Sequence, residues 1–266
     1  MPEPPAPPAA ESPPAAESPP AAESPPADEP PAPHAALIDA IHRALSAHAD
    51  PTRAVGQQRY MKSTLPYLGL TNPVLRSTMR ALVRDPAYAL TSRPAWEATI
   101  RALWDGATHR EHWYAALVLA RHPRSRAWRD LDALPLYRYL ITRGAWWDVV
   151  DETATHLVRD LLDEHPSPTL DATLREWAHD DNRWIRRSAI ICQVGRGPRT
   201  DISLLTDAIT PSIADRDFFA RKAIGWALRD YARTNPDWVR AFVTRRPDLS
   251  GLSRREALKH LGPPEA

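Results

Sequence analysis

The chain has 266 residues, of which 43% are hydrophobic and one is cysteine, so it can fill a sizeable core but cannot form an internal disulfide. Six of its 33 acidic residues and none of its 34 basic residues lie in residues 1–34, which leaves 34 basic against 27 acidic residues, a net charge of +7, in the remainder. That surplus suits a polyanionic partner or simply a basic soluble domain. Because no long apolar span or basic-then-apolar leader occurs, we expect no membrane helix, no secretory signal and a cytoplasmic location.

Residues 1–34 differ in composition from everything that follows. They repeat Pro, Ala, Glu and Ser in "PPAAESPPAAESPPA", contain 14 of the 29 prolines, and hold no aromatic residue and no internal aliphatic residue larger than alanine. Such a segment cannot bury enough apolar surface to offset its chain entropy. We therefore predict a disordered tail over 1–34 that acts as a solvated spacer or, alternatively, as a ligand for a proline-recognition domain, and a single folded domain over 35–266.

From residue 35 onward the apolar residues recur at helical spacing. The segments that show this, in chain order, are "AALIDAIHRAL", "NPVLRSTMRALVRD", "HWYAALVLARH", "DETATHLVRDLLDEH" and "FFARKAIGWALRDYA". Pro, Gly or Asn/Asp clusters separate them, and no segment shows the alternation of a half-exposed strand. The sequence therefore predicts an all-α protein.

Similar segments return at a regular interval along the chain. An aromatic residue followed by an aliphatic run occurs at Trp113, Trp147, Trp184 and Phe219, at steps of 34, 37 and 35 residues. A period in the mid-thirties accommodates two helices with their turns, as in a helical-repeat solenoid. We expect stacked antiparallel helix pairs in which equivalent positions line up on one concave face.

The segment "WWDVVD" presents aromatic and acidic side chains together. Trp147 and Asp151 are four residues apart and so share one face of a helix, whereas Trp146 points elsewhere and is expected to pack in the core. Asp148 is interpreted as a solvated acid favoured by the helix dipole. One repeat later the chain carries Arg186 and Arg187, and two repeats later it carries Arg221, Lys222 and Trp226. The face would then offer a carboxylate, a guanidinium and two indoles, a set that suits a cationic ligand attached to a phosphate.

Rival chemistry has little support in the motifs. "HREH" at 109–112 does not match the HExxH zinc motif, no Cys/His cluster has zinc spacing, and neither a metal nor another cofactor is predicted. "GRGPRT" at 195–200 is interpreted as a helix-ending turn. Cys192 lies in the apolar run "SAIICQV" and is expected to be a small buried residue.

Five segments together carry a resemblance to a known family. They are, in order, "RYMKSTLPYLGLTNPVLR", "RGAWWDVVD", "DNRWIRRSAIICQ", "RKAIGWALRDYARTNPDWV" and "LSRREALKHL". Over residues 37–262 the chain resembles the AlkD-type DNA alkylation repair glycosylases. The resemblance implies a HEAT-like repeat protein that hydrolyses the N-glycosidic bond of cationic N7- and N3-alkylated purines in double-stranded DNA, without a cofactor and without flipping the base into a deep pocket.

The resemblance also implies roles for particular residues. Asp151 would be the essential acid, Trp147 and Trp226 the aromatic walls, Arg187 the active-site arginine, and Tyr60 a contact to DNA. The cations Lys62, Arg187, Lys222 and Arg221, together with Arg186 beside the active-site arginine, are expected to contact the DNA backbone. On their own, these aromatic residues could equally pack in the core and these cations could be solvated surface charges.

Two other functions fit the same solenoid. A non-catalytic protein could use its basic face to hold distorted or branched DNA, and a protein scaffold could use it for peptide partners. The presence of Asp151, Trp147, Arg187 and Trp226 together favours the enzyme, and the net charge of +7 disfavours the scaffold. We expect a monomer, which a concentration-dependent mass in solution would contradict.

Overall fold

The computed structural model describes residues 31–262, and within them it contains α-helices joined by short turns and no strand. This confirms the predicted all-α class. Most of the predicted tail therefore lies outside the described residues, and residues 31–34 belong to no helix. The helices are α1 (Ala35–Ser46), α2 (Pro51–Met61), α3 (Asn72–Arg84), α4 (Arg93–Asp105), α5 (Arg110–Arg121), α6 (Leu134–Gly144), α7 (Trp147–Glu152), α8 (Arg159–Glu164), α9 (Pro168–Ala178), α10 (Arg183–Ile191), α11 (Ile202–Ile209), α12 (Phe218–Tyr231), α13 (Pro236–Arg245) and α14 (Gly251–Ala257).

The helices pack as two layers. In the front layer, consecutive neighbours contact one another in the order α3, α5, α7, α10, α12 and α14. Behind it, α4 packs on α5, α6 on α7 and α10, α9 and α11 on α10, and α13 on α12 and α14. The core lies between the layers, where Trp96 and Tyr137 are fully buried. The helices formed by the five predicted segments thus bury the apolar faces that their periodicity predicted.

The residues that marked the repeat fall at matching places in the front layer. Trp113, Trp147, Trp184 and Phe219 lie in the first turn of α5, α7, α10 and α12. The rings of Trp184 and Phe219 lie 4.8 Å apart between centroids, and Trp146 packs against both at 6.0 and 5.5 Å. Trp146 is partly buried and packs against the core, as predicted, and the shared aromatic cluster holds three successive front helices together.

Two further predictions, the burial of Cys192 and the turn near Gly197, are also confirmed. Cys192 has no exposed surface, and burial raises the pKa of its thiol to about 12. The segment that contains Gly197 forms a short 3₁₀ turn at Gly197–Arg199, where the chain passes from α10 to α11. No helix among residues 31–262 has the length and apolar character needed to cross a bilayer.

A tight turn sets where α7 begins. Ala145 has a φ of +42°, in the left-handed region, and ends α6 two residues before Trp147. At Gly144, an added Cβ would lie 2.5 Å from a methyl of Val149 and 2.9 Å from the ring of Trp104. Only glycine therefore allows α6 to approach α7 and α4 this closely. The turn thereby fixes where α7 begins and how Trp147, its first residue, is oriented.

One helix runs from Trp147 to Glu164 but widens in the middle. Its central turns, Thr153–Val158, are π-helical and join α7 to α8 without a break. The hydroxyls of Thr153 and Thr155 donate to the carbonyls of Val149 and Asp151, both at 2.7 Å, and compete with the backbone ladder. π-helical turns of this kind often accompany functional sites, and this one directly follows Asp151.

A buried carboxylate organises the segment between α2 and α3. Glu111 is 1% exposed and accepts hydrogen bonds from the backbone N–H groups of Leu68, Gly69 and Leu70, at 2.9, 2.8 and 3.2 Å. The next residue back, Arg110, donates its backbone N–H to the carbonyl of Pro66 at 2.9 Å. The first turn of α5 thus holds this segment against the front layer.

Replacing Glu111 with glutamine should lower the free energy of unfolding by about 2 kcal/mol, because a neutral amide weakens three charge-assisted bonds and places a donor against backbone N–H groups. Urea denaturation monitored by circular dichroism measures the change. The exposed Glu176→Gln on α9 is the matched control and should stay within about 0.5 kcal/mol of wild type. Equal stability of the two variants would contradict the role given to Glu111.

Candidate active site

The centre of the candidate site is an ion pair between two front helices. Arg187 of α10 donates its Nε and Nη2 to the two carboxylate oxygens of Asp151, each at 2.7 Å. Its third nitrogen, Nη1, donates to the backbone carbonyl of Phe219 at 2.7 Å. The arginine side chain is 6% exposed and the aspartate side chain 16%. All three guanidinium nitrogens are therefore engaged, and the pair joins α7, α10 and the start of α12.

Asp151 lines an open cavity of about 630 Å³ on the front layer. Three other residues predicted to form the site, Trp147, Trp226 and Tyr60, line the same cavity. Tyr60 is 77% exposed, whereas the two tryptophans are partly buried. The apolar part of the cavity lining includes Met61, Leu70, Leu75, Leu117 and Val118.

The surroundings of Asp151 act on its ionisation in opposite senses. Burial raises the pKa of Asp151 above its usual range, the hydrogen bonds and charge of Arg187 oppose that rise, and the charge of Asp148 adds to it. Because both oxygens accept from a guanidinium, the pairing favours the carboxylate form. A carboxylate has lone pairs beyond those two bonds, so Asp151 can still face a cation or a water in the cavity.

The interpretation of Asp148 as a solvated acid is wrong. Its side chain is 11% exposed and accepts two hydrogen bonds from Arg110 of α5, at 2.5 and 3.1 Å. A third comes from the hydroxyl of Tyr114, at 2.6 Å, and Tyr67 bonds to that same hydroxyl at 2.8 Å. The partners are 34 and 38 residues away in sequence, so local periodicity could not indicate them. Sequence reasoning missed this whole group.

The predicted DNA-contacting cations do not line the cavity of Asp151. Arg186 pairs with Asp215 at 3.0 Å and donates to two backbone carbonyls, while Lys222 pairs with Glu256 at 2.9 Å. Arg221 donates its Nε to the backbone carbonyl of Asp217 at 3.3 Å. Lys62, exposed and at a φ of +50°, ends α2 two residues after Tyr60.

Arg187 also differs from what was expected of a backbone cation. Its guanidinium is buried and fully hydrogen-bonded within the protein. Such a group is not available to neutralise a phosphate, so its expected contribution to salt-dependent affinity has no support in this geometry. Its position against Asp151 instead assigns it to the site itself.

A row of arginines that the sequence reasoning did not single out lies next to the cavity. Arg76, Arg80 and Arg84 are spaced by four residues along α3 and are all exposed. Together with Arg121 of α5 they line a second cavity of about 440 Å³, which shares Arg76, Leu117, Val118 and Glu152 with the first. The i, i+4, i+8 spacing was visible in "RSTMRALVR" and places three positive charges along one face.

The residues of "HREH" have structural partners. His112 is 3% exposed, its ring stacks on His42 of α1 at 4.1 Å between centroids, and burial lowers its pKa to about 4. Within residues 31–262, no group of three or more His, Cys, Asp or Glu side chains is placed to hold a metal ion.

Comparisons with known proteins show the family of the chain. The family model for the DNA alkylation repair enzyme matches residues 41–261, and the chain therefore belongs to that family, which indicates an enzyme that acts in DNA repair. A solved structure titled "Predicted DNA alkylation repair enzyme from Enterococcus faecalis" is similar, with a TM-score of 0.72 and 28% identity over 81% of this chain and 98% of that one. No curated protein matches the chain.

Replacing Arg187 with methionine should lower the free energy of unfolding by about 3 kcal/mol at pH 8, because it leaves the Asp151 carboxylate buried and unpaired. The pKa of Asp151 would then rise further above its unfolded value. An acid with a raised folded pKa loses stability as pH rises through that value, so the deficit should be smaller at pH 5 than at pH 8.

Guanidinium denaturation at both pH values measures this change. Arg186→Met is the matched control, since its partner Asp215 has a lowered pKa and stays ionised over the same range. Any loss of stability in the control should be equal at pH 5 and pH 8. A deficit for Arg187→Met that does not depend on pH would contradict the ion pair.

Proposed function

We propose that the protein is an AlkD-type DNA glycosylase that releases cationic N7- and N3-alkylated purines from double-stranded DNA. The observation that carries the proposal is that Asp151, held by Arg187, lines the same cavity as Trp147 and Trp226. Membership of the DNA alkylation repair family supports alkylated DNA as the substrate. The cavity supplies the chemistry that such a substrate needs.

A purine alkylated at N7 or N3 already carries a positive charge. When the glycosidic C1′–N9 bond breaks, the bonding electron pair moves onto the base and neutralises its positive charge. The base can therefore leave without protonation by a strong acid. The positive charge passes to the sugar as an oxocarbenium ion. A water then adds to C1′ and gives up a proton, leaving an abasic site and a free base.

Asp151 has the placement to assist both parts of this reaction. Its negative charge, held in a partly buried setting, stabilises the positive charge that develops on the sugar, and its free lone pairs can orient the water. Arg187 holds the carboxylate in one orientation, so no reorganisation is needed as the charge forms. The indole faces of Trp147 and Trp226 attract the cationic base or sugar.

The openness of this site suits a nucleotide that stays in the duplex. Tyr60 is 77% exposed and the two tryptophans are partly exposed, so they can meet DNA at its surface. We therefore propose catalysis without extrusion of the base into an enclosed pocket, unlike the common base-flipping strategy. The exposed Arg76, Arg80 and Arg84 of α3 would neutralise phosphates next to the lesion.

Asp151→Asn should reduce the single-turnover release of N7-methylguanine from a duplex by about 10² to 10³, in line with the loss of one electrostatic or general-base group, while binding to the same duplex is retained. Chromatography of the free base, corrected for spontaneous release, measures the rate. Asp160→Asn is the matched control, because Asp160 lies on the same helix and pairs with Arg129 at 3.1 Å but does not line the cavity.

The outcome that would contradict the proposal is absence of release by the wild type from both N7-methylguanine and N3-methyladenine substrates. Tight, salt-sensitive binding under those conditions would instead support a protein that recognises distorted or branched DNA without catalysis.

Arg80→Ala should weaken binding to undamaged and damaged duplexes alike and reduce the slope of log K against log salt by about 1, because one phosphate contact is lost. Fluorescence anisotropy over a series of salt concentrations measures the slope. The control is Arg240→Ala on α13, in the layer behind, which removes the same charge and should leave the slope unchanged. Equal slopes for Arg80→Ala and wild type would contradict the proposal that this face of α3 contacts the DNA backbone.

A further inference from the structure

A second hydrogen-bonded group stands behind the acid of the candidate site. Asp148 precedes Asp151 by one turn and accepts from Arg110 and from the hydroxyl of Tyr114. An ionised carboxylate only accepts, so the Tyr114 hydrogen lies toward Asp148. The hydroxyl of Tyr67, 2.8 Å from that of Tyr114, must then be the donor to it. The hydrogen bonds of this group therefore run in one direction, from Tyr67 to Tyr114 and from Tyr114 to Asp148.

This group belongs to the wall of the same cavity. Tyr67, Tyr114 and Asp148 all line it, and Arg110 lies behind them at 5% exposure, with its guanidinium 4.5 Å from the ring centroid of Trp113. Burial raises the pKa of Tyr67 to about 12 against the opposing effect of its hydrogen bond to Tyr114, and burial together with the charge and hydrogen bond of Asp148 raises the pKa of Tyr114, so both phenols stay protonated. The wall is thus a set of fixed dipoles around one negative charge.

That negative charge acts directly on Asp151. Residues three apart on a helix are neighbours, and Asp148 raises the pKa of Asp151 while Arg187 opposes the rise. Arg110 offsets the charge of Asp148 from the side of α5. Without Arg110, α7 would carry two neighbouring carboxylates, and only Arg187 would offset their negative charge.

The other groups around α7 are accounted for. On α6, Arg138 pairs with Asp180 and Tyr139 donates to Asp105, so both are engaged away from Asp151. Glu152 and His156 line the cavity and lie 3.4 Å apart, and Arg121 meets Glu152 from α5 at 3.5 Å. The charged groups that act on Asp151 are Arg187 and Asp148.

We propose that Asp148, held by Arg110 and Tyr114, is a positioning residue that sets the charge state of Asp151 during base release. The proposal rests on the catalytic role given to Asp151 above. Asp148 makes no contact with the substrate in this account. It acts through the neighbouring carboxylate, and Arg110 tunes how strongly it does so.

Two substitutions in this group should have opposite effects. Asp148→Asn removes a negative charge and leaves Arg110 positive, which favours ionised Asp151, so the acidic limb of the rate of base release should move to lower pH. Arg110→Gln leaves Asp148 without its cation, so the same limb should move to higher pH. Each shift should be about 0.5 pH unit or more, since a nearby charge moves a carboxyl pKa by about 1 to 3.

The comparison variants separate positioning from a general loss of structure. Arg110→Lys keeps the charge and should restore the wild-type limb even if its rate is lower. Asp160→Asn, which removes an acid paired with a buried arginine on the same helix, should not move the limb. Loss of rate without a shift, or shifts in the same direction for Asp148→Asn and Arg110→Gln, would overturn the proposal.

A second measurement does not depend on catalysis. In protein labelled with ¹³C at the aspartate side-chain carboxyl, the resonance that disappears in Asp151→Asn can be followed through a pH titration. Its midpoint should fall in Asp148→Asn and rise in Arg110→Gln. An unchanged midpoint in both would reject the coupling. If the wild type releases no base but the midpoints move as expected, the proposed function fails while the coupling between the two carboxylates stands.

Discussion

The ion pair between Asp151 and Arg187 is the interaction on which the rest of the site depends. It uses both carboxylate oxygens and, with the carbonyl of Phe219, all three guanidinium nitrogens. It fixes α7, α10 and the start of α12 relative to one another, and Trp147 and Trp226 lie on the first and last of these helices. Because the pair is mostly buried, the cost of desolvating two charges is offset only in this full geometry. The aromatic walls and the acid are therefore placed by one contact.

The same kind of contact recurs along the front layer. Acid–base pairs link each repeat to the next, at sequence separations close to the repeat length; they are Arg110–Asp148, Arg187–Asp151, Arg183–Asp217, Arg186–Asp215 and Lys222–Glu256. Many of the basic residues that suggested a DNA-binding face thus have structural partners. The exposed arginines of α3 differ from them, since Arg76, Arg80 and Arg84 extend from the mouth of the cavity along a second groove.

Local periodicity was sufficient to predict the helices and the joint orientation of Trp147 and Asp151, because both depend on 3.6 residues per turn. The predicted segments coincide with α1, α3, α5, the long helix from Trp147 to Glu164, and α12. The packing of Trp146 against the core followed from the different directions in which adjacent helical residues point, and the burial of Cys192 followed from its apolar neighbours. The partners of Asp148 and Arg186 did not, because they lie about 30 to 40 residues away and depend on the register in which the repeats stack. Partners this far apart in sequence can be identified only when the packing of the repeats is known.

The central claim is that Asp151 stabilises positive charge at the sugar. It is tested most directly by comparing the affinity of the wild-type protein for two duplexes that differ only in that charge. One carries a neutral tetrahydrofuran abasic analogue, and the other a pyrrolidine analogue that is cationic at neutral pH. Since catalysis requires tighter binding of the charged transition state, the wild type should prefer the cationic duplex by about tenfold or more, and Asp151→Asn should lose that preference. Equal affinity of the wild type for the two duplexes would contradict the account.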